Sequence, residues 1–342
     1  MSRHLRWLLI ALPLAAACSG GGDQKLLVYS PHGRDLLSLF ETTFEAENPG
    51  VDVRWLDMGS QEIYDRVRSE KANPQADVWF GGPSTIFARG AEENLLEPFR
   101  PSWAGAIPAG YNDPADRFFA AYRTAPVLLF NSAAIAPEDA PADWEDLLDE
   151  RWHDQILIRD PLASGTMRIF FGMILERSLR TTGDPRSGFE WLGRLDGQTK
   201  EYVLNPVLMV EKMVRQEGLL TVWELTDALW QLERRMPLDY RFPSSGTPII
   251  VDSIGLVAGA PNGELGKRFI EWVGSPEAQE LAAREAFRLP ARNDLPTEDL
   301  PAWAREVLEN IVPAEVDRDV IERHGPDWMS TWDRSVRGKG AA

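Results

Sequence analysis

Two hydrophobic periods alternate in the first part of the chain, one typical of helices and one of strands. In the run 34–48, apolar residues recur every three or four positions, which predicts an amphipathic helix. Short apolar runs bounded by glycine and small polar residues predict strands on either side of it. The predicted order is strand 25–30, helix 34–48, strand 51–58, helix 60–72 and strand 76–82. This βαβαβ order predicts a parallel sheet in an α/β fold.

A second unit with similar alternation begins near residue 120. Its predicted elements are an extended run 120–131, helix 142–154, strand 155–161, a helix from about 166, helix 206–218, strand 219–225, helix 227–236, an extended run 243–260, helices 263–274 and 276–287, and more helix near 301–310. Over 342 residues, this pattern predicts about two domains.

The first three predicted strands all end in small polar residues. In parallel sheets, ligands bind beyond the carboxyl ends of the strands. The candidate ligand-binding residues at these ends are Ser30, His32, Gly33, Ser60, Gly81, Gly82 and Ser84. Ser60 is also the predicted N-cap of its helix.

The segment "DPLASGTMRIFF" (160–171) places Ser164, Gly165 and Thr166 between a strand and an apolar, helix-like run. Ser and Thr are common helix caps. A helix start also offers unpaired N–H groups to an anion, and glycine lets a ligand approach the backbone. From these residues alone, a cap and an anion site both remain open.

Charge and motifs exclude several classes of function. Without residues 1–17, the chain carries 34 basic against 53 acidic residues, a formal charge of −19. This acidic balance argues against nucleic acid or an anionic membrane surface as partner. The sequence contains neither a G-x-S-x-G elbow nor an H-E-x-x-H motif, so we expect no enzymatic activity.

The N-terminus has the layout of a secretory signal. Two arginines precede an apolar run (7–14) that is too short to span a bilayer, and small residues follow it. They end at Cys18, the only cysteine, in "LAAAC", which resembles a lipoprotein lipobox with Ala15 where Leu is commoner. We expect a signal peptide at 1–17, a lipid on Cys18 and a flexible tether over 18–24. The alternative is an ordinary signal peptide that is cleaved nearby and leaves a soluble periplasmic protein.

Most of the remaining chain resembles the extracellular solute-binding proteins of bacterial ABC importers, in the group that binds ferric iron, thiamine, sugar phosphates and phosphonates. The resemblance covers about residues 25–290. The segments that carry it are "LLVYSPHG", "FEAENPGVDVRW", "PQADVWFGG", "NLLEPF", "DWEDLLDERWHDQILIRDPLASGT" and "GLVAGAPNGELGKRFIEWVGSPEAQ".

The resemblance implies the type II periplasmic-binding-protein fold, with two α/β lobes, a two-strand hinge and a ligand in the interlobe cleft. The implied parts are lobe 1 (25–122 plus 248–342) and lobe 2 (123–247), with crossings near 122–126 and 244–248. The implied partners are a small solute and an inner-membrane permease. We expect a monomer without a resident cofactor, in the periplasm or at the outer face of the cytoplasmic membrane.

Ferric-iron members of this group use a His, a Glu and two adjacent Tyr as ligands, and hard Fe(III) favours such anionic oxygen donors. This chain retains only a candidate His, since the Glu position falls near Gly82 and no Tyr lies in the run 224–227. Fe(III) as cargo therefore stays an alternative, with His32, Glu224 and Asp227 as ligands.

The favoured prediction is an anionic organic solute. The sugar-phosphate and phosphonate members bind an anionic head group with hydroxyls and backbone amides at helix starts. Because the resemblance places residues 164–166 beside the cleft, ligand contact is favoured there over a cap alone. Arg34 or Arg168 would add charge, and Glu224 and Asp227 would meet hydroxyls or an amine, unless they form only a turn and an N-cap. Tyr122 and Trp223 would enclose the organic body.

Overall fold

The computed structural model describes residues 24–339. The predicted signal peptide, Cys18 and all of the predicted tether except Gln24 lie outside the described residues. Among those residues, no helix combines the length and apolar character needed to cross a membrane.

A mixed seven-stranded sheet organises lobe 1. Its strands are β1 (Gln24–Ser30), β2 (Val51–Asp57), β3 (Val78–Pro83), β4 (Leu96–Glu97), β5 (Phe119–Thr124), β11 (Ile250–Val257) and β12 (Leu289–Pro290). The order is β12-β5-β11-β3-β1-β2, with β4 paired to β11. Strand β1 runs parallel to β2 and β3, whereas β11 runs antiparallel to β3 and β5. The predicted parallel βαβαβ unit is therefore confirmed.

Helices cover both faces of this sheet. They are α1 (Gly33–Glu47), α2 (Ser60–Ser69), α3 (Ser84–Glu92), α8 (Gly263–Val273) and α9 (Pro276–Ala286). Because side chains alternate along a strand, Leu26 and Val28 pack with α1, α8 and α9, while Tyr29 packs with α2 and α3 on the opposite face. The carboxyl ends of β1, β2 and β3 are left facing the second lobe.

A five-stranded sheet organises lobe 2. Its strands are β6 (Pro126–Asn131), β7 (Ile156–Arg159), β8 (Thr199–Val203), β9 (Leu220–Glu224) and β10 (Leu238–Arg241), in the order β10-β6-β9-β7-β8. Its helices are α4 (Gly165–Thr182), α5 (Arg186–Gln198), α6 (Pro206–Val214) and α7 (Leu225–Glu233). Helices α4 and α5 pack on one face and α6 and α7 on the other.

The hinge contains the two predicted strand crossings. Strand β5 continues through Ala125 into β6, and β10 returns to β11 through residues 242–249. Thr247 joins the crossings, since its hydroxyl donates to the Pro126 carbonyl at 2.6 Å. The two-lobe fold with a two-strand hinge agrees with the prediction.

The C-terminal helices differ from the predicted division, which assigned 248–342 as a whole to lobe 1. They are α10 (Ala302–Asn310) and α11 (Arg318–Ser335), and their buried side chains join lobe 2 cores. Trp332 packs edge-on against Phe171 of α4, with ring centroids 5.3 Å apart. The chain therefore crosses a third time, between β12 and α10.

Local predictions fail where capping interrupts the helical pattern. The predicted helix 142–154 is two short 3₁₀ turns, Trp144–Leu148 and Glu150–Trp152. Asp143 and Asp149 each accept a backbone N–H at the start of a turn, so the chain restarts rather than continuing one α-helix. Helices α3, α5 and α11 and strand β8 were not predicted.

Candidate functional site

The loop after β1 places His32 in the floor of the cleft. Its Nε2 lies 3.2 Å from Asp252 Oδ2 and its Nδ1 lies 3.2 Å from Ser30 Oγ. The ring packs edge-on against Phe80, and a Cβ on Gly81 would lie 2.5 Å from it. Gly81, with a φ of 100°, therefore leaves the space that the imidazole occupies.

The environment favours the neutral form of this imidazole. Burial lowers the pKa of His32 and the nearby Arg288 charge lowers it further, while Asp252 raises it. A neutral ring with Nε2–H donating to Asp252 then accepts from the Ser30 hydroxyl at Nδ1.

A second group of predicted residues meets across the cleft. A Cβ on Gly165 of lobe 2 would lie 2.7 Å from Pro83 Cδ and 3.1 Å from Ser60 Oγ, both in lobe 1. A Cβ on Gly82 would lie 3.0 Å from the same hydroxyl. The starts of α2 and α4, from opposite lobes, thus converge on Gly82, and Gly82 follows the glycine beside His32.

Capping at these helix starts differs between the lobes. Ser60 is the first residue of α2, whose N-cap is Gly59, so the prediction of Ser60 as N-cap is wrong. Ser164 does cap α4, since its hydroxyl accepts from the Met167 N–H at 3.3 Å. The Ser60 hydroxyl is therefore not committed to capping, whereas that of Ser164 is.

Asp160 holds the loop that presents Ser164. Its carboxylate accepts from the Leu162 N–H at 2.8 Å, and its carbonyl accepts from the Ser164 N–H at 2.9 Å. Arg337, just after α11, donates to the other carboxylate oxygen at 2.7 Å. The C-terminal helix of the chain therefore fixes the candidate anion loop.

The start of α7 brings two carboxylates to the cleft. Glu224 is its N-cap without a side-chain capping bond, so Asp227 is not the N-cap, which was the alternative to ligand contact. Burial raises the pKa of Glu224, as does Asp227, although 22% of the Glu224 side chain stays accessible. Burial likewise raises the pKa of Asp227. At each of these carboxyl groups, the protonated form is therefore more favoured over the carboxylate than it is in water.

Arg288, which the sequence analysis missed, joins these groups. It follows α9 in lobe 1, and its Nη2 donates to the His32 carbonyl at 2.9 Å. Its Nη1 lies 3.5 Å from Glu224 Oε1 in lobe 2. "FRLP" (287–290) contains no recognisable site motif, so only the fold could reveal this residue.

The aromatic candidates line the same region. Tyr122 on β5 lies edge-on to His32 with ring centroids 5.9 Å apart, and its buried hydroxyl has no hydrogen-bond partner among residues 24–339. Trp223, the next-to-last residue of β9, lies near Asp227; burial raises the pKa of that carboxyl group and the indole lowers it in part. Both rings are almost fully buried, so each also contributes to packing.

Five candidates lie at the margins. Gly33 starts α1 with a φ of 76°, and Arg34 is exposed. Ser84 starts α3 and lines a separate cavity of about 170 Å³ beside the hinge. Arg168 donates to the Leu162 carbonyl at 3.0 Å and so supports the loop. Thr166 is half-buried near the start of α4.

The proposed metal ligands do not form a ligand group. Across residues 24–339, no cluster of three or more His, Cys, Asp or Glu side chains is arranged to hold a metal ion. His32 directs its ring nitrogens to Ser30 and Asp252, and a guanidinium faces Glu224.

The lobes contact each other along α7. Arg234 beyond α7 pairs with Asp35 of α1 at 2.7 Å. The Thr226 hydroxyl donates to the Phe287 carbonyl at 3.2 Å, and the Trp230 and Phe287 rings meet at 5.0 Å. Together with the contact of Gly165 and Pro83, these contacts describe a closed cleft.

Known proteins share this architecture. A protein of Sinorhizobium fredii, named as an ABC transporter periplasmic-binding protein, is 27% identical over 96% of this chain and 90% of its own length. A Salmonella typhimurium protein, named as a 2-aminoethylphosphonate-binding periplasmic protein, is 27% identical over 86% of this chain and 83% of its own.

Solved structures give the same picture of the fold. The periplasmic binding protein AfuA from Actinobacillus pleuropneumoniae, with fructose-6-phosphate bound, superposes with a TM-score of 0.81 at 23% identity, over 92% of this chain and 99% of its own. The ferric binding protein from Campylobacter jejuni gives 0.75 at 17% identity, over 90% and 98%. The model of the bacterial extracellular solute-binding proteins matches residues 73–309, more than half of the chain. The chain belongs to this family and is a periplasmic solute-binding protein of an ABC transporter.

Proposed function

We propose that this protein captures a small organic solute with a phosphonate or phosphate head group and presents it to its permease without chemical change. The observation that carries this proposal is the meeting of Ser60, Gly82 and Gly165 across the closed cleft. Two helix starts from opposite lobes are close together there, and the free N–H groups of a helix start together with a hydroxyl would suit an oxyanion.

The acidic side of the cleft supports an amine or hydroxyls on the rest of the solute. Glu224 and Asp227 have raised pKa values, chiefly because burial disfavours their charge. An ammonium group would stabilise both carboxylates and form charge-assisted hydrogen bonds with them. An aminoalkylphosphonate, such as the solute in the name of the Salmonella relative, carries both an ammonium group and an anionic head group.

Calorimetry on the purified mature chain tests this function. We expect 2-aminoethylphosphonate to bind more tightly than inorganic phosphate, and ferric citrate to give no saturable heat. If ferric citrate binds and the phosphonate and a hexose phosphate do not, the function is iron capture, the alternative that relatives named for iron uptake represent.

We also propose that Cys18 carries a lipid that holds a monomer at the membrane surface. The support is the sequence "LAAAC" followed by a glycine-rich tether. Labelling cells with a radioactive fatty acid should mark the wild-type protein and not Cys18→Ser. An unlabelled wild-type protein would show that an ordinary signal peptide is cleaved instead.

A further inference from the structure

Arg288 connects the two lobes inside the cleft. Its side chain is only 5% exposed, and its two terminal nitrogens reach different partners. One holds the main chain of His32 in lobe 1, and the other faces Glu224 in lobe 2. The guanidinium Nε is buried and has no hydrogen-bond partner in the part of the chain that the structure describes.

Acidic groups outnumber cations around this guanidinium. Glu224 and Asp227 approach from α7, and Asp252 approaches from β11. The other facing groups are neutral or lie at the rim: His32 has a lowered pKa, Tyr122 a raised one, and Arg234 pairs with Asp35. The interior of the cleft therefore holds three carboxyl groups around one guanidinium.

Resting on the proposed function, we propose that Arg288 is a specificity-determining residue: its guanidinium is the internal counter-charge of Glu224 and competes there with the solute's ammonium group. When Glu224 is ionised, its buried carboxylate needs a cationic partner, and Arg288 Nη1 lies 3.5 Å away in the closed cleft. An ammonium group that enters beside Arg288 gains less from a carboxylate that is already paired. The guanidinium also repels this ammonium group. Arg288 thus limits how strongly the cleft prefers a zwitterionic solute over a simple anion.

The test compares two ligands that differ only in the amine, 2-aminoethylphosphonate and ethylphosphonate. Their affinity ratio reports the ammonium contribution, since changes in folding, closure or oxyanion binding affect both ligands alike. In Arg288→Gln, whose amide can still donate to the His32 carbonyl, we expect the ratio to rise at least tenfold. Arg288→Met, which keeps an unbranched stem, replaces it if Arg288→Gln does not fold.

Two matched arginine variants serve as controls. Arg288→Lys retains the charge and should keep the ratio within about threefold of wild type. Arg234→Met removes the other interlobe arginine, whose side chain is 43% exposed, so solvent screening should leave the ratio nearly unchanged. A ratio that is unchanged or lower in Arg288→Gln overturns the proposal.

A ligand-independent measurement separates this proposal from the proposed function. Titration of the Glu224 carboxyl by ¹³C NMR should show a higher pKa in Arg288→Gln than in wild type, because the counter-charge is lost. If neither the phosphonates nor a hexose phosphate bind the wild-type protein, the proposed function fails, and this titration decides the role of Arg288. An unchanged Glu224 pKa would show that the guanidinium is not its counter-charge.

Discussion

Gly165 allows a sharp prediction because it lies where the lobes touch. A methyl group at this position would meet Pro83 Cδ at 2.7 Å and Cγ at 3.0 Å. Carbon atoms in contact normally lie 3.5–4.0 Å apart, so Gly165→Ala requires a shift of about 1 Å. The proline ring is rigid and Pro83 is the last residue of β3, so lobe 1 has little freedom to yield.

The expected effects on folding and on closure have opposite signs. Position 165 is the first residue of α4, and alanine is a better helix former than glycine by up to about 1 kcal/mol. The open, solute-free protein should therefore keep or slightly raise its melting temperature. Overpacking in the closed cleft costs about 1–3 kcal/mol. That cost weakens solute binding by roughly 5-fold to 150-fold, since only the closed form holds the solute tightly.

Two measurements check these effects. They are calorimetry with the identified solute, and small-angle scattering with and without that solute. Gly193→Ala is the matched control, because it makes the same substitution inside α5 of the same lobe. A Cβ there would meet only Val336 Cγ1, at 3.9 Å. The control should bind like wild type.

An affinity of Gly165→Ala within twofold of wild type would refute the reasoning. It would mean that the solute-bound cleft does not bring Gly165 against Pro83. A large fall in the melting temperature of the solute-free protein would point instead to a folding defect.

Three further predictions follow from other contacts. Combining Ser164→Ala with Thr166→Ala should weaken solute binding at least tenfold while lowering stability by only about 1 kcal/mol, the usual value of one cap; calorimetry and thermal unfolding check this, and unchanged affinity would leave the loop with a capping role alone. The closed structure raises the pKa of Glu224 above its usual 4.5. Closure without solute should therefore be favoured at low pH and weaken as pH rises through the raised value. Scattering across pH 4–9 should show that closure depends less on pH in Glu224→Gln than in wild type. Trp332→Ala should lower the free energy of unfolding by about 3–5 kcal/mol, measured with urea, because this indole is fully buried against α4; a loss below 1 kcal/mol would contradict that packing.

The sequence predicted the parts of the fold that depend on local periodicity. The βαβαβ unit of lobe 1 has clean strand and helix periods, and its strand ends carry the polar residues that meet at the cleft. Ser30, His32 and Gly81 form one contact group, and Ser60, Gly82 and Gly165 form another. Strand ends in one parallel sheet must lie at the same edge, so the juxtaposition of the lobe 1 residues is readable without coordinates, whereas Gly165 joins them from lobe 2.

Other features depend on contacts between distant segments. Arg288 becomes a cleft residue only because Phe287, at a φ of 51°, ends α9 and redirects the chain. Helix α11 has a polar sequence with Pro326 inside it, so its pattern gave no sign that Trp332 completes a core. Ser60 was misplaced by one position, since Gly59 can cap as well as serine.

The packing of α11 on lobe 2 has a consequence for the order in which this protein acquires its structure. The core beneath α4 needs Trp332 from the last part of the chain, and the loop at Asp160 needs Arg337. Residues 126–241 therefore emerge from the ribosome, or cross a membrane, before the helix that completes their own lobe. Lobe 2 cannot reach its final structure until almost the whole polypeptide is present, and a chain halted near residue 300 would expose the apolar side of α4 to chaperones and proteases.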